Sequence, residues 1–172
     1  SSGGVDSINF DESEKRTFVY NTDEGKFTAG QVLKSESTAF EEYPVSAMNR
    51  VIVFNALRAA KLNASHTLSI SSGLPFKRVY KAGKLNEKLI SSKVQNLLRN
   101  DVKAVDGYDL PVIKSHQVLS EGLAAWFNYV IHRNEDGKLE VDKQLYGRRI
   151  AIIDIGGKTT DIVVIKAGEI DY

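Results

Sequence analysis

The sequence predicts an α/β fold in which helices pack against a mixed sheet. Three observations carry this. Two apolar strands flank a glycine turn between Ile150 and Ile165. Stretches at about 45–62, 86–99 and 119–132 repeat apolar residues at helical spacing. Between them lie short runs of strand-forming residues bounded by Gly, Pro, Asn and Asp. A chain of 172 residues, 42% of them hydrophobic, can bury one sizeable core with a small appended subdomain.

Taken in order, Thr17 to Asn21 and Lys26 to Ala29 flank Thr22-Asp23-Glu24-Gly25, a hairpin pattern. Gln31 to Tyr43 is polar with few periodic apolar residues, and reads as loop or short helix. Met48, Val51, Ile52, Phe54, Leu57 and Ala60 then mark a helix over 45–62 without an internal breaker. Leu68 to Ser71 reads as a strand, stopped by Ser72-Gly73-Leu74-Pro75. Asn86 is an N-cap candidate for a helix to Arg99, with Leu89, Ile90, Val94, Leu97 and Leu98 on one face. Val102–Val105 and Leu110–Ile113 read as strands around Asp106-Gly107-Tyr108-Asp109. A third helix over 119–132 carries the small residues Gly122, Ala124 and Ala125, which permit close packing. Asn134 to Gly137 ends it, and Ala167-Gly168-Glu169 marks a turn after the final long strand.

The segment Ile150 to Ile165 concentrates the chemistry. Four apolar residues precede Asp154, and four follow Asp161, a pattern that predicts two strands buried on both faces. A two-residue loop at Gly157-Lys158 places Asp154 directly across from Asp161. Like charges so placed repel, so a cation, a water or hydrogen-bond donors belong there. Adjacent glycines free backbone N–H groups to form an anion-binding concavity. The economical account is a site for a phosphate and a divalent metal; the plain alternative is a hairpin turn. Gly157-Lys158-Thr159 also resembles the tail of a P-loop, but Ile152 stands where that motif needs glycine, and a strand rather than a helix follows.

Composition excludes several classes. The formal charge of +1 gives no broad field for nucleic acid or an acidic membrane. Without cysteine there are no disulfides or thiolate metal sites, which suits a reducing compartment. No stretch approaches the roughly 20 apolar residues that span a bilayer, and no signal-like segment opens the chain. A cytoplasmic protein is expected. Ser1-Ser2-Gly3-Gly4 is loop-like without an initiator methionine, and Tyr172 closes just after a turn, which suggests a fragment.

Asp154-Ile-Gly-Gly-Lys-Thr-Thr-Asp161 resembles the second phosphate loop of the actin, Hsp70 and sugar-kinase ATPases. Gly73-Leu74-Pro75-Phe76, Tyr80, Asn86-Glu87, Ile90, Lys93 and Asn96-Leu97 resemble a stretch of the plasmid-segregation actin-like ATPases, the ParM or StbA family. The hairpin from Tyr20 to Phe27 and the helix after it occur in matching order. Gln117-Val-Leu-Ser-Glu-Gly122 resembles the family's strand-to-helix segment with its water-positioning Glu or Gln. Together these cover most of residues 17–170.

The resemblance implies a ribonuclease H-like mixed sheet with flanking helices. Residues 1–172 would form most of the first actin-like ATPase domain, without its opening phosphate-loop hairpin, and about 17–45 would belong to a small inserted subdomain. It implies ATP and Mg²⁺ as cofactors. Asp154 would hold the metal through water or orient the attacking water; Gly156, Gly157, Lys158 and Thr159 would offer backbone N–H groups, and Thr159 a hydroxyl, to the β and γ phosphates. Asp161 would support the loop or the metal shell, and Gln117 would align the nucleophilic water. Lys158 stands where family members vary, so no catalytic part falls to it. The implied function is an ATP-driven filament of the protein itself that moves plasmid DNA through an adaptor, with no direct contact to DNA or membrane. A sugar or small-molecule kinase, or a nucleotide-switched chaperone or division protein, is the alternative on the same fold.

Other side chains read more plainly. His116, lacking a partner in sequence, reads as structural or surface; His66 and His132 read as loop and helix-end residues. Trp126 reads as core. Glu121 lies one helical turn beyond Gln117 and can reach the same edge, although a solvated face is the favoured reading.

Overall fold

A computed structural model describes residues 17–31, 34–156 and 159–170. The elements run β1 (Phe18–Thr22), β2 (Gly25–Ala29), α1 (Ala47–Ala59), β3 (Thr67–Leu74), α2 (Phe76–Val79), β4 (Tyr80–Lys81) and β5 (Lys84–Leu85). Then come α3 (Glu87–Leu98), β6 (Lys103–Ala104), β7 (Val112–Ser120), α4 (Glu121–Val130), β8 (Ile131–Arg133) and β9 (Leu139–Val141). The last are α5 (Lys143–Tyr146), β10 (Arg149–Ile155), β11 (Thr160–Lys166) and β12 (Glu169–Ile170). The class is mixed α/β, as expected. Among the described residues the strands form two three-stranded sheets and three strand pairs rather than one continuous sheet.

The chain divides into two compact units, residues 1–68 with 99–113 and residues 69–98 with 114–172. In the first, β1 and β2 pair antiparallel, with Thr22 opposite Gly25, and β6 adds to the other edge of β1. The Asp23-Glu24 turn is closed by the Thr22 hydroxyl, which accepts from Glu24 N–H at 3.1 Å. Helix α1 begins at Ala47, two residues later than its periodicity predicts, because Pro44 sits in a 3₁₀ turn and the Ser46 hydroxyl caps the Asn49 N–H. It buries Ala47, Val51 and Phe54, and Asn55 accepts a hydrogen bond from the buried Tyr20 hydroxyl. Arg50, also buried, forms ion pairs with Glu24 and Asp101 at 2.8 Å.

In the second unit, Ser69 and Ser71 of β3 bond to Ser115 and Gln117 of β7. The constant offset between partners runs these strands parallel. β3 continues past Ser72-Gly73 to Leu74, beyond its expected end, and stops only at Pro75, which cannot donate to a ladder. β7 is likewise longer than expected and carries His116 inward. Helix α3 starts as predicted, with the Asn86 side chain accepting from Leu89 N–H. Helix α4 ends at Val130, short of the predicted His132. Ile131–Arg133 instead form β8, paired with β9 through a turn held by Asn134, so His132 is a strand residue opposite Glu140.

β10 and β11 pair antiparallel over seven residues each, and β12 follows a two-residue turn at Ala167-Gly168. Val163 and Ile165 are buried against Trp126 and Val130 of α4, with Ile150, Ile152, Leu123 and Phe76 packed around them. Trp126 is a core residue, as predicted. The expectation that both faces of these strands are buried is corrected. Ile153, Ile155 and Ile162 are 58%, 79% and 55% exposed. One helix covers one face of a sheet, and α4 packs only on the side of Ile150, Ile152, Val163 and Ile165.

Candidate functional site

Strand alternation decides where the aspartates point. Asp154 follows Ile150 and Ile152 at period two, and Asp161 precedes Val163 and Ile165 likewise, so both carboxylates share the face that meets α4. The ladder pairs Asp154 with Asp161, as the two-residue loop predicts. Gly157 and Lys158 themselves lie outside the described residues. At this end of the sheet, Asp154, Asp161, Ile152 and Val163 line a narrow cleft with Glu121 and Gly122, the first residues of α4. Pro75 and Phe76 close it from the end of β3. Its volume is about 10 Å³, the room of roughly one water.

Two glycines make this convergence possible. A Cβ on Gly122 would stand 2.5 Å from Val163 Cγ1, so only glycine lets the first turn of α4 rest on β11. A Cβ on Gly73 would stand 2.5 Å from Glu121 Cγ, so the bare Cα makes a slot for that side chain. Burial, then the charges of Asp154 and Asp161, push the Glu121 carboxyl up; Lys93 pulls it down. Lys93 of α3 is 6% exposed. Burial lowers its pKa, Glu121 opposes that shift, and Arg78 adds to it.

The remaining predicted residues fall as follows. Gly156 and Thr159 are exposed, and the Gly156 N–H donates to the Thr159 carbonyl at 2.9 Å. That N–H is therefore committed to the hairpin and is not open to a phosphate. Gln117 is exposed on β7, where its amide donates to Ser71 Oγ at 2.9 Å; it does not line the cleft. His116 is buried, with Nε2 2.8 Å from Ser72 Oγ and Nδ1 near the Val94 carbonyl. Burial pushes its pKa down, and its contacts fit a structural role. His66 lies in a loop bonded to Asn63.

Glu121 is the residue that sequence reasoning undervalued. The signal available was its spacing from Gln117 and its neighbour Gly122; the helix face it occupies was settled only by packing. Among the described residues, no three His, Cys, Asp or Glu side chains stand close enough to hold a metal alone. Oxygen donors from one or two carboxylates suit Mg²⁺ when phosphate oxygens and waters complete its shell, and do not suit an all-protein cage. The donor set of Asp154 and Asp161 fits the first arrangement.

No protein-family profile matches this chain, and no curated protein matches it. No helix among the described residues is long and apolar enough to cross a membrane.

Proposed function

We propose that this chain is part of a cytoplasmic actin-like ATPase of the ParM type, with a ribonuclease H-like core, which assembles into filaments with ATP and engages plasmid DNA through an adaptor. The observation that carries the reading is the Asp154–Asp161 pair: two carboxylates directly opposed at the end of a hairpin, beside a cleft of water size. An opposed pair of this kind is destabilising unless a cation or donors engage it. Asp154 and Asp161 would hold Mg²⁺, which when bound would neutralise phosphate charge. Thr159 would meet the phosphates at the loop. Catalysis by such a site rests on positioning and charge neutralisation, with little covalent chemistry of its own.

Two measurements on the intact protein test this. ATP hydrolysis should be nearly abolished in Asp154→Ala while the circular dichroism spectrum is retained; unchanged turnover removes the metal assignment. Electron microscopy with ATP should reveal nucleotide-dependent filaments. Phosphoryl transfer to a small molecule without filaments would favour the kinase alternative.

A further inference from the structure

We propose that the outer edge of β2, with the groove between it and α1, is a docking site for an extended acidic segment of a partner protein, which joins the sheet as a further strand. This site is independent of the ATPase reading above. β2 ends the β2–β1–β6 sheet, so it is paired on one side only. Val19 of β1 turns its carbonyl to β6, where it accepts from the Val105 N–H at 2.9 Å. By alternation, Phe18, Tyr20 and Thr22 bond to β2 through Ala29, Phe27 and Gly25. The N–H and C=O groups of Lys26 and Thr28 therefore point outward, and among the described residues nothing bonds to them. An open row of backbone groups is a template for another strand.

The groove beside this edge selects the kind of strand that fits. Its volume is about 640 Å³. Tyr20 reaches Asn55 of α1, and Phe27 stands opposite Tyr20, so Phe27 and Ala29 lie on the face that meets the helix. Helix α1 brings Met48, Ile52 and Asn55 to the same groove at helical spacing, and Ile52 is 39% exposed. One row of side chains on an added strand would cover these apolar atoms. The other row would lie on the opposite face beside Lys26, which has no carboxylate within ion-pair distance among the described residues. Lys34 adds a second cation to the lining, against the single carboxylate of Glu36. Opposite charges facing each other across paired strands attract, and like charges repel. Lys26 thus discourages β2 from pairing with the β2 of a second copy and favours a strand that alternates acidic and apolar residues. In this mode main-chain bonds supply the affinity and alternate side chains the selectivity.

Fluorescence anisotropy of a short labelled peptide alternating glutamate and valine, titrated with the intact protein, tests this beside a peptide alternating lysine and valine. The glutamate peptide should bind with a Kd below about 1 mM, and the lysine peptide at least about fivefold more weakly. Lys26→Glu should reverse that preference. Thr28→Pro removes an outward N–H at a position that edge strands tolerate, so it should weaken binding at least about fivefold with the unfolding midpoint held. Ile52→Glu puts a carboxylate among the apolar atoms of the groove and should weaken the glutamate peptide without touching the strand edge; it and Lys26→Glu decide the matter if Thr28→Pro does not fold. Absence of saturable binding by the wild type overturns the proposal, as does a lysine peptide bound as tightly as the glutamate one. Wild-type affinity in a folded Thr28→Pro or in Ile52→Glu overturns it too. A dimer in analytical ultracentrifugation that Thr28→Pro dissolves would assign the edge to a second copy of the chain instead, and would equally overturn it.

Discussion

Replacing Gly122 with alanine sets two effects of known size against each other. Gly→Ala in a helix interior normally stabilises by up to about 1 kcal/mol, and less at the second residue of α4, where backbone order is incomplete. Against this, the new Cβ would stand 2.5 Å from Val163 Cγ1, when carbon atoms prefer about 3.5–4.0 Å. One of them must retreat by about 1 Å in a close-packed core, and forcing an extra methyl into such a core costs about 1–3 kcal/mol. Val163 is buried in the cluster with Trp126 and Val130, and the space beside it is a cleft of about 10 Å³. Packing therefore outweighs propensity, and a net destabilisation of about 1–2 kcal/mol is expected.

Val163→Ala provides the control. It removes Cγ1 and leaves Cβ, which would lie 3.6 Å from the new methyl, an ordinary contact. Alone it should cost about 1.6 kcal/mol for two buried methyl groups. Combined with Gly122→Ala, the clash vanishes and the new methyl fills the space. The double mutant should then be more stable than the sum of the singles by at least about 1 kcal/mol. Urea denaturation followed by Trp126 fluorescence reads this directly, since Trp126 is the single tryptophan and sits in that core. A Gly122→Ala protein as stable as wild type, or strictly additive energies, would refute the reasoning.

Further expectations concern both units. Burial alone would raise the Asp101 carboxyl, but hydrogen bonds and charge from Arg50 outweigh it and hold it below the usual range. A depressed folded pKa stabilises above the unfolded value of about 3.9 and ceases to do so as pH falls through the folded value. Asp101→Asn should thus cost about 3 kcal/mol at pH 7 by leaving the buried Arg50 poorly paired, and the gap in urea stability should narrow near pH 3; an equal gap at both would count against the ion pair. On the sheet, Ile153→Lys should change stability by less than about 0.5 kcal/mol, while Val163→Lys should prevent cooperative unfolding, because only the latter faces α4. Asp154→Asn removes one of two opposed charges, so a higher unfolding midpoint with lost ATP turnover is expected; a lower midpoint would mean that the pair is not repulsive in the fold.

Local rules made much of this chain legible. The β1–β2 hairpin, the cap at Asn86, and the turns at 134–137 and 167–168 depend on residues within a few positions of one another. Elements that depend on distant partners were harder. The length of β3 and β7 follows from their pairing with each other, and the early end of α4 follows from β8 meeting β9. The single-turn helices α2 and α5 and the short β4–β5 pair carry too few residues for any period to emerge.

The same division holds at the site. By itself the sequence determined that Asp154 and Asp161 oppose each other, because a two-residue loop fixes antiparallel register by counting. It could not determine which face of the hairpin is covered, since a run of consecutive apolar residues has no period from which to read a side. Only the packing of α4 decided that, and with it the choice of neighbours. Gly122 against Val163 and Gly73 beneath Glu121 bring a third carboxylate to the aspartates and leave Gln117 with Ser71. Contacts between residues this far apart in the chain are set by the shape of the packed core, and no local pattern encodes them.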